Sequence, residues 1–160
     1  VLIPVFQKDG QYHILFIQRT DRVQDHKGQI SFPGGAYEEA DGTQLNTALR
    51  EAREEIGLNP DDVEILGELD DTATMGTRYI ISPFIGLIPY PYQFKLDKWE
   101  TEELIEIPLP VLLDKDNGGE DAVTVDGNKI NTYIYRYGNK VIWGATARIL
   151  KQFLGIIVSL

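Results

Sequence analysis

Short β-rich runs open the chain and give way to a helical period near residue 43, and this change of period sets the order of the elements. The opening VLIPVF and the segment Tyr12 to Arg19 are rich in β-branched and aromatic residues, and the Lys8-Asp9-Gly10 turn chemistry between them predicts a hairpin. A polar loop from Thr20 to Gln29 follows, then a short apolar element, Ile30 to Phe32, and a break at Pro33-Gly34-Gly35. The first helix is expected from about Thr43 to Ile56, with Asp41 or Thr43 as the cap and Gly57 as the stop. Leu45, Leu49, Ala52 and Ile56 recur at helical spacing and predict its buried face.

Strands are expected at Val63 to Leu69, Tyr79 to Pro89 and Leu104 to Ile107. A second hairpin is expected from Ala122 to Val125 and Ile130 to Tyr137, turning at Asp126-Gly127-Asn128. An amphipathic helix from about Val141 to Val158 closes the chain, with Trp143, Ile149 and Phe153 expected in the core. No repeat, linker or low-complexity tract divides these elements. The expectation is one α+β domain over residues 1–160, with helices packed on a mixed sheet.

Composition narrows the chemistry. The chain has no cysteine and two histidines, so a bound metal must rely mainly on oxygen ligands, which suits magnesium or manganese. A formal charge of −10 opposes nonspecific binding to nucleic acid, and an anionic substrate then needs a cation as intermediary. The most apolar stretch, near Ile142 to Leu160, is interrupted by Arg148, Lys151 and Gln152, so no membrane span is expected and the cytoplasm is the expected compartment. The first residue falls within a strand-like run, so further residues are expected upstream.

The segment Arg50 to Leu58 reads REAREEIGL. At 3.6 residues per turn, Glu51, Glu54 and Glu55 fall within an arc of roughly 100° and can converge on one cation. Glu55 lies beside the apolar stripe and Glu54 farther towards solvent, so the cluster should straddle the edge of the core. Arg50 stands one turn before Glu54 and is placed to hold that carboxylate. The plain alternative is a solvated helix face laced with ion pairs.

The glycine-rich stretch before the helix tips the balance. From Gly34 the chain reads GGAYEEADGTQLNTALREAREEIGL, which resembles the Nudix box, G-x5-E-x7-R-E-U-x-E-E-x-G-U with U apolar. Arg50, Glu51, Ala52, Glu54, Glu55, Gly57 and Leu58 fill its second half; at ordinary residue frequencies the five Arg, Glu and Gly matches with the upstream glycine arise about once in 10⁷ placements. In the first half, Asp41 stands where Glu is expected after Gly35, and one extra residue precedes Arg50. That longer spacing is similar to the coenzyme A diphosphatase branch of the family, GGxxDxxDxxxxxTALREAxEEIGL. Glu38 replaces that pattern's first Asp, Asp41 matches its second, and residues Thr47 to Glu51 read TALRE.

Upstream, Leu15 to Gly35 resembles the branch's second signature, LLTxRSxxxxRxxxGxxxFPGG, through Leu15, Arg19, Gly28, Phe32, Pro33, Gly34 and Gly35. Thr20 keeps a hydroxyl, but Gln24 replaces the arginine four residues before Gly28, with Arg22 two positions away. Later segments, YIISPFI, ETEELIEIPL and IWGATARIL, also resemble the branch.

The resemblance implies a Nudix-type α/β/α sandwich and a hydrolase that cuts coenzyme A or acyl-coenzyme A to 3′,5′-ADP and 4′-phosphopantetheine or its acyl form. It implies a magnesium or manganese site from Gly35, Glu51, Glu54 and Glu55, with Arg50 orienting the carboxylates. Glu100 matches an acidic position of the branch and is the expected general base, with Glu51 the alternative; Glu102, Glu103 and Glu106 read as solvated strand-edge charges. Substrate contacts are expected from Arg19, His26, Gly28, Phe32, Gly34 and Gly35. Arg19 has a fork suited to phosphate, and the two adjacent glycines let backbone approach an oxyanion. The plain reading of Phe32 is a core residue before a turn. The expected partner is a small nucleoside diphosphate derivative, bound by a monomer or homodimer. Two rivals stand: a Nudix hydrolase of ADP-ribose, a dinucleotide or a nucleoside triphosphate, and a Nudix-fold module that binds a nucleotide without cutting it. No P-loop pattern is present.

Overall fold

The computed structural model describes residues 1–160. Strands β1 (Leu2–Lys8) and β2 (Gln11–Arg19) form the expected hairpin, with Asp9 at φ 52° and Gly10 at φ 76° supplying the left-handed positions of a two-residue turn. Their side chains alternate between two cores. Leu2, Phe6, Leu15 and Ile17 join one cluster, while Ile3, Val5, Ile14 and Phe16 join the other. Burial on both faces explains why both strands read as nearly continuous apolar runs.

After β3 (Ile30–Ser31) and α1 (Gln44–Ile56) come β4 (Glu64–Glu68), β5 (Thr72–Ala73), β6 (Ile80–Ile81), β7 (Phe84–Leu87) and β8 (Thr101–Pro108). The chain ends with α2 (Leu109–Leu113), β9 (Gly118–Val125), β10 (Asn128–Tyr137), β11 (Lys140–Ile142) and α3 (Gly144–Ser159). The principal sheet runs β3-β2-β1-β7-β4, with β8 also paired to β2. Only β1 and β7 run parallel, so the sheet is mixed. Ala48, Ala52 and Ile56 of α1 pack in one cluster, and Ile149, Leu150 and Phe153 of α3 in the other, which places helices on both faces of an α+β fold. Strands β9, β10 and β11 form a separate antiparallel sheet. No helix is long and apolar enough to cross a membrane.

The first helix has the expected ends. Thr43 accepts a hydrogen bond from the Asn46 amide at 3.1 Å, and Gly57 closes the helix in the left-handed conformation. Gly57 is required there, because a Cβ would also meet the Lys95 backbone nitrogen at 2.9 Å. Most of the expected face is covered: Ala52 and Ile56 are buried and Leu45 packs against their cluster, joined by Ala48 and Glu55, while Leu49 is only partly covered. Two alanines let the helix approach the sheet closely, and Leu49 lies round the cylinder from them.

Two expected elements are divided. The run Tyr79 to Pro89 is interrupted at Ser82-Pro83: β6 pairs with β5, whereas β7 enters the principal sheet. Pro83 has no amide hydrogen for a ladder, and its carbonyl instead accepts from the Leu69 amide at 2.9 Å. The closing helix begins at Gly144 rather than near Val141, because Val141 and Ile142 pair with Arg136 and Tyr135 as β11. The second hairpin turns at Asp126 (φ 50°) and Gly127 (φ 79°), as expected.

Candidate active site

The outward edge of α1 is organised around Arg50. Its Nε donates to Asp41 Oδ1 at 2.8 Å and Nη2 to Asp41 Oδ2 at 3.1 Å, a paired fork onto one carboxylate. Nη2 also donates to the Ala36 carbonyl at 3.1 Å, while Nη1 reaches Glu51 Oε1 at 2.9 Å and Glu54 Oε2 at 3.2 Å. The guanidinium thus ties the loop before the helix to two of the three glutamates. Asp41 is fixed in turn by the Thr47 hydroxyl at 2.8 Å and the Glu38 amide at 2.9 Å. These donors and the adjacent guanidinium hold its carboxyl well below the usual range. Asp41 therefore is not the helix cap, a role that belongs to Thr43; its short 3-10 turn, Glu39–Asp41, carries it to Arg50.

The three glutamates occupy different environments. Glu54 has a side chain that is 57% exposed, while Glu55 is buried at 2% exposure. Burial, together with repulsion from Glu51, pushes the Glu55 carboxyl up to about 8, against the pull of nearby Arg19 and the Gly34 amide. Burial also raises Glu51, and Arg50 opposes that shift. Glu100 adds its negative charge to both, although it is 45 residues away from Glu55 in sequence. Its turn is tied to the helix end, where the Asp97 amide donates to the Glu55 carbonyl at 2.9 Å.

The glutamates do not converge as a finished set of ligands. Arg50 draws Glu51 and Glu54 to itself, while Glu55 stays buried beside the core. The donor set nevertheless fits a hard divalent cation. Every donor is an oxygen, and Glu55 Oε2 is buried without a hydrogen-bond partner, a costly arrangement for a carboxylate unless a cation meets it. Gly35 fits the same purpose: a Cβ there would lie 2.5 Å from Glu51 Oε1 and 2.3 Å from its Cδ, so glycine lets the backbone pass without displacing this carboxylate. At Gly34 a Cβ would meet Val1 Cγ1 at 2.5 Å.

The other expected substrate contacts are less closely gathered. Arg19 is near Glu55 and spends one donor, Nε, on the Asp25 carbonyl at 3.2 Å. Phe32 is only 3% exposed and stacks on Phe16 with ring centroids 4.9 Å apart, so it is a core residue rather than a ligand contact. Exposed His26 has φ 57° and meets Gln29 Oε1 at 3.2 Å through Nδ1. Gly28 lines a polar cleft of about 400 Å³ with Gln18, Lys27, Asp126, Asn139 and Trp143, to which no glutamate of α1 contributes. Arg22 does not stand in for the missing arginine at Gln24: it donates to the Lys98 carbonyl and lies over Trp99, 5.3 Å from the ring centroid. Glu103 and Glu106 pair with Lys140 and Lys8. The sequence reading missed Asp41 as the anchor of Arg50 and Thr47 as its support. The branch-like spacing marked Asp41, but nothing in it named a partner.

Known proteins bear on this geometry. The NUDIX domain family profile matches residues 1–117. An "Uncharacterized Nudix hydrolase NudL" from Salmonella paratyphi B is 33% identical over 152 residues, covering 95% of this chain and 78% of the relative, and the NudL of Salmonella newport matches equally. Among solved structures, a Caenorhabditis elegans Ap4A hydrolase binary complex superposes with a TM-score of 0.65 at 12% identity, covering 99% of this chain and 97% of that one. The Nudix domain of Shewanella oneidensis NrtR, complexed with ADP ribose, gives 0.54 at 20% identity, covering 68% and 70%. These two likenesses concern the fold, while the family rests on the profile and the NudL relatives. With the complete Arg50-to-Leu58 pattern on the edge of α1, the chain belongs to the Nudix family and is a hydrolase of phosphorus-containing anhydrides.

Proposed function

We propose that this enzyme cleaves the diphosphate linkage of coenzyme A or an acyl-coenzyme A, releasing 3′,5′-ADP and 4′-phosphopantetheine or its acyl form. The observation that carries the reading is the branch-like stretch from Leu15 to Leu58, with its lengthened spacing between Gly35 and Arg50. The pairing of Asp41 with Arg50 gives that spacing a physical use and so supports the reading.

Nudix hydrolases generally use divalent cations, and Glu51, Glu54, Glu55 and the Gly35 backbone would hold magnesium or manganese here. Such an ion neutralises diphosphate charge and acidifies water. Arg50 keeps Glu51 and Glu54 together at the edge of the core. Arg19 offers its free donors to a phosphate oxygen, and Glu100 takes the proton of the attacking water. A new P–O bond forms as the bridging P–O bond breaks, and the second phosphate leaves.

A second reading, hydrolysis of ADP-ribose, a dinucleotide or a nucleoside triphosphate, is favoured by one observation. Arg22 is committed to the carbonyls of Lys98 and Trp99, and Gln24 has no charge to offer a 3′-phosphate. Product analysis with magnesium or manganese on coenzyme A, dephospho-coenzyme A, ADP-ribose and a nucleoside triphosphate separates the two. Cleavage of coenzyme A to 3′,5′-ADP with much weaker turnover of the dephospho form is expected. Equal or better turnover of ADP-ribose overturns the coenzyme A assignment.

A further inference from the structure

We propose that Thr20, assisted by Arg22, is a positioning residue that clamps the turn Asp97 to Glu100 and so sets where the Glu100 carboxylate stands. The inference rests on the reading of Glu100 as general base and extends it to residues outside the glutamate cluster.

Three consecutive carbonyls of this turn are held from one loop. Arg22 Nη2 donates to Lys98 O, the Thr20 hydroxyl donates to Trp99 O at 2.5 Å, and the Thr20 amide donates to Glu100 O at 2.9 Å. Arg22 Nε adds a long contact to Trp99 O at 3.5 Å, and its guanidinium lies over the Trp99 ring. The same Thr20 oxygen accepts from the Arg22 amide at 3.3 Å, which couples the two clamp residues. Thr20 is only 4% exposed, so its hydroxyl is committed to this contact rather than to solvent.

The opposite side of the turn is fixed to the metal-site helix. The Asp97 amide donates to Glu55 O at 2.9 Å, and Asp97 O accepts from the Glu100 and Thr101 amides at 3.1 and 2.8 Å. Asp97 Oδ1 accepts from the Trp99 amide at 3.0 Å. Glu100 is thus suspended between α1 and the residues following β2. Displacing a catalytic group by about 1 Å costs on the order of 100-fold in rate.

The test is a double-mutant cycle of Thr20→Val and Glu100→Gln, with Thr20→Ser as the conservative variant, assayed with magnesium on coenzyme A and ADP-ribose. Thr20→Val is expected to lower kcat about 10- to 100-fold with KM within about twofold, and Thr20→Ser to retain most of it. In the Glu100→Gln background, Thr20→Val should lower kcat no further. An equal further loss there would mean a general effect on the fold and would overturn the clamp. Full kcat in Glu100→Gln overturns the reading of Glu100 as base, and the clamp with it. Loss in Glu100→Gln beside an unaffected Thr20→Val overturns the clamp alone. A second readout needs no turnover: trypsin should cut after Lys98 about tenfold faster in Thr20→Val than in the parent, and equal cutting rejects the clamp.

Discussion

Arg50 and Asp41 meet as a two-bonded fork, Nε to Oδ1 at 2.8 Å and Nη2 to Oδ2 at 3.1 Å, across the junction between the loop and the helix that carries the glutamates. Because the same guanidinium also reaches Glu51 and Glu54, Asp41 is linked to those carboxylates through Arg50 without touching them. Asp41→Asn keeps the shape but removes the charge and half of the fork's acceptors. Activity is expected to fall about 10- to 100-fold with little change in KM, as for other groups that orient metal ligands. Steady-state kinetics checks this, and unchanged kcat would mean that Arg50 holds its place unaided.

Buried Glu55 predicts an unusual pH dependence of stability. Its folded carboxyl is raised from 4.5 to about 8, so the folded state binds the extra proton between those values. Its unfavourable contribution is absent below about 4.5, grows as pH rises, and is complete above about 8. Thermal denaturation of the metal-free protein should therefore show Tm falling across this window, by at most about 1.4 kcal/mol of stability per pH unit from this group. Magnesium should raise Tm more at pH 8 than at pH 5.5, where protonated Glu55 competes with it.

Glu55→Gln separates stability from function. Removing a buried charge with an orphaned oxygen should raise the Tm of the metal-free protein at pH 8 while abolishing both turnover and the magnesium-dependent gain. Calorimetry with and without magnesium reads both effects. A variant less stable than the parent at pH 8 would show that Glu55 is better satisfied in the apoprotein than its burial implies.

Gly35→Ala tests the close approach of backbone to Glu51. The new Cβ would sit 2.3 Å from Glu51 Cδ, but a carboxylate on a flexible stem can move aside. The expected result is a small stability cost, within about 1 kcal/mol, beside a loss of activity of about 100-fold. Comparable Tm with full activity would remove Gly35 from the site.

The local elements were readable because their causes are local. Thr43 and Gly57 end the first helix through their own backbone preferences, and Asp9-Gly10 and Asp126-Gly127 specify tight turns by tolerating positive φ. Helical geometry alone places Glu51, Glu54 and Glu55 on neighbouring positions, with Glu55 inward and Glu54 outward, as the structure has them.

What the sequence could not decide depends on partners far along the chain. Whether Val141 and Ile142 extend a helix or add a strand was settled by pairing with β10, and the division at Pro83 by the carbonyl contact to Leu69. The choice of Asp41 as anchor rather than cap required the geometry of the turn before α1. Glu100 reached the cluster only because β8 pairs with β2, which sets the turn before it against the residues following β2. Sequence alone determined the helix bearing the carboxylates and the family pattern on it, since both follow from short-range spacing. Tertiary structure decided which charges are buried, which are paired and which distant carboxylate joins them, because desolvation and Coulombic interaction depend on distance through space.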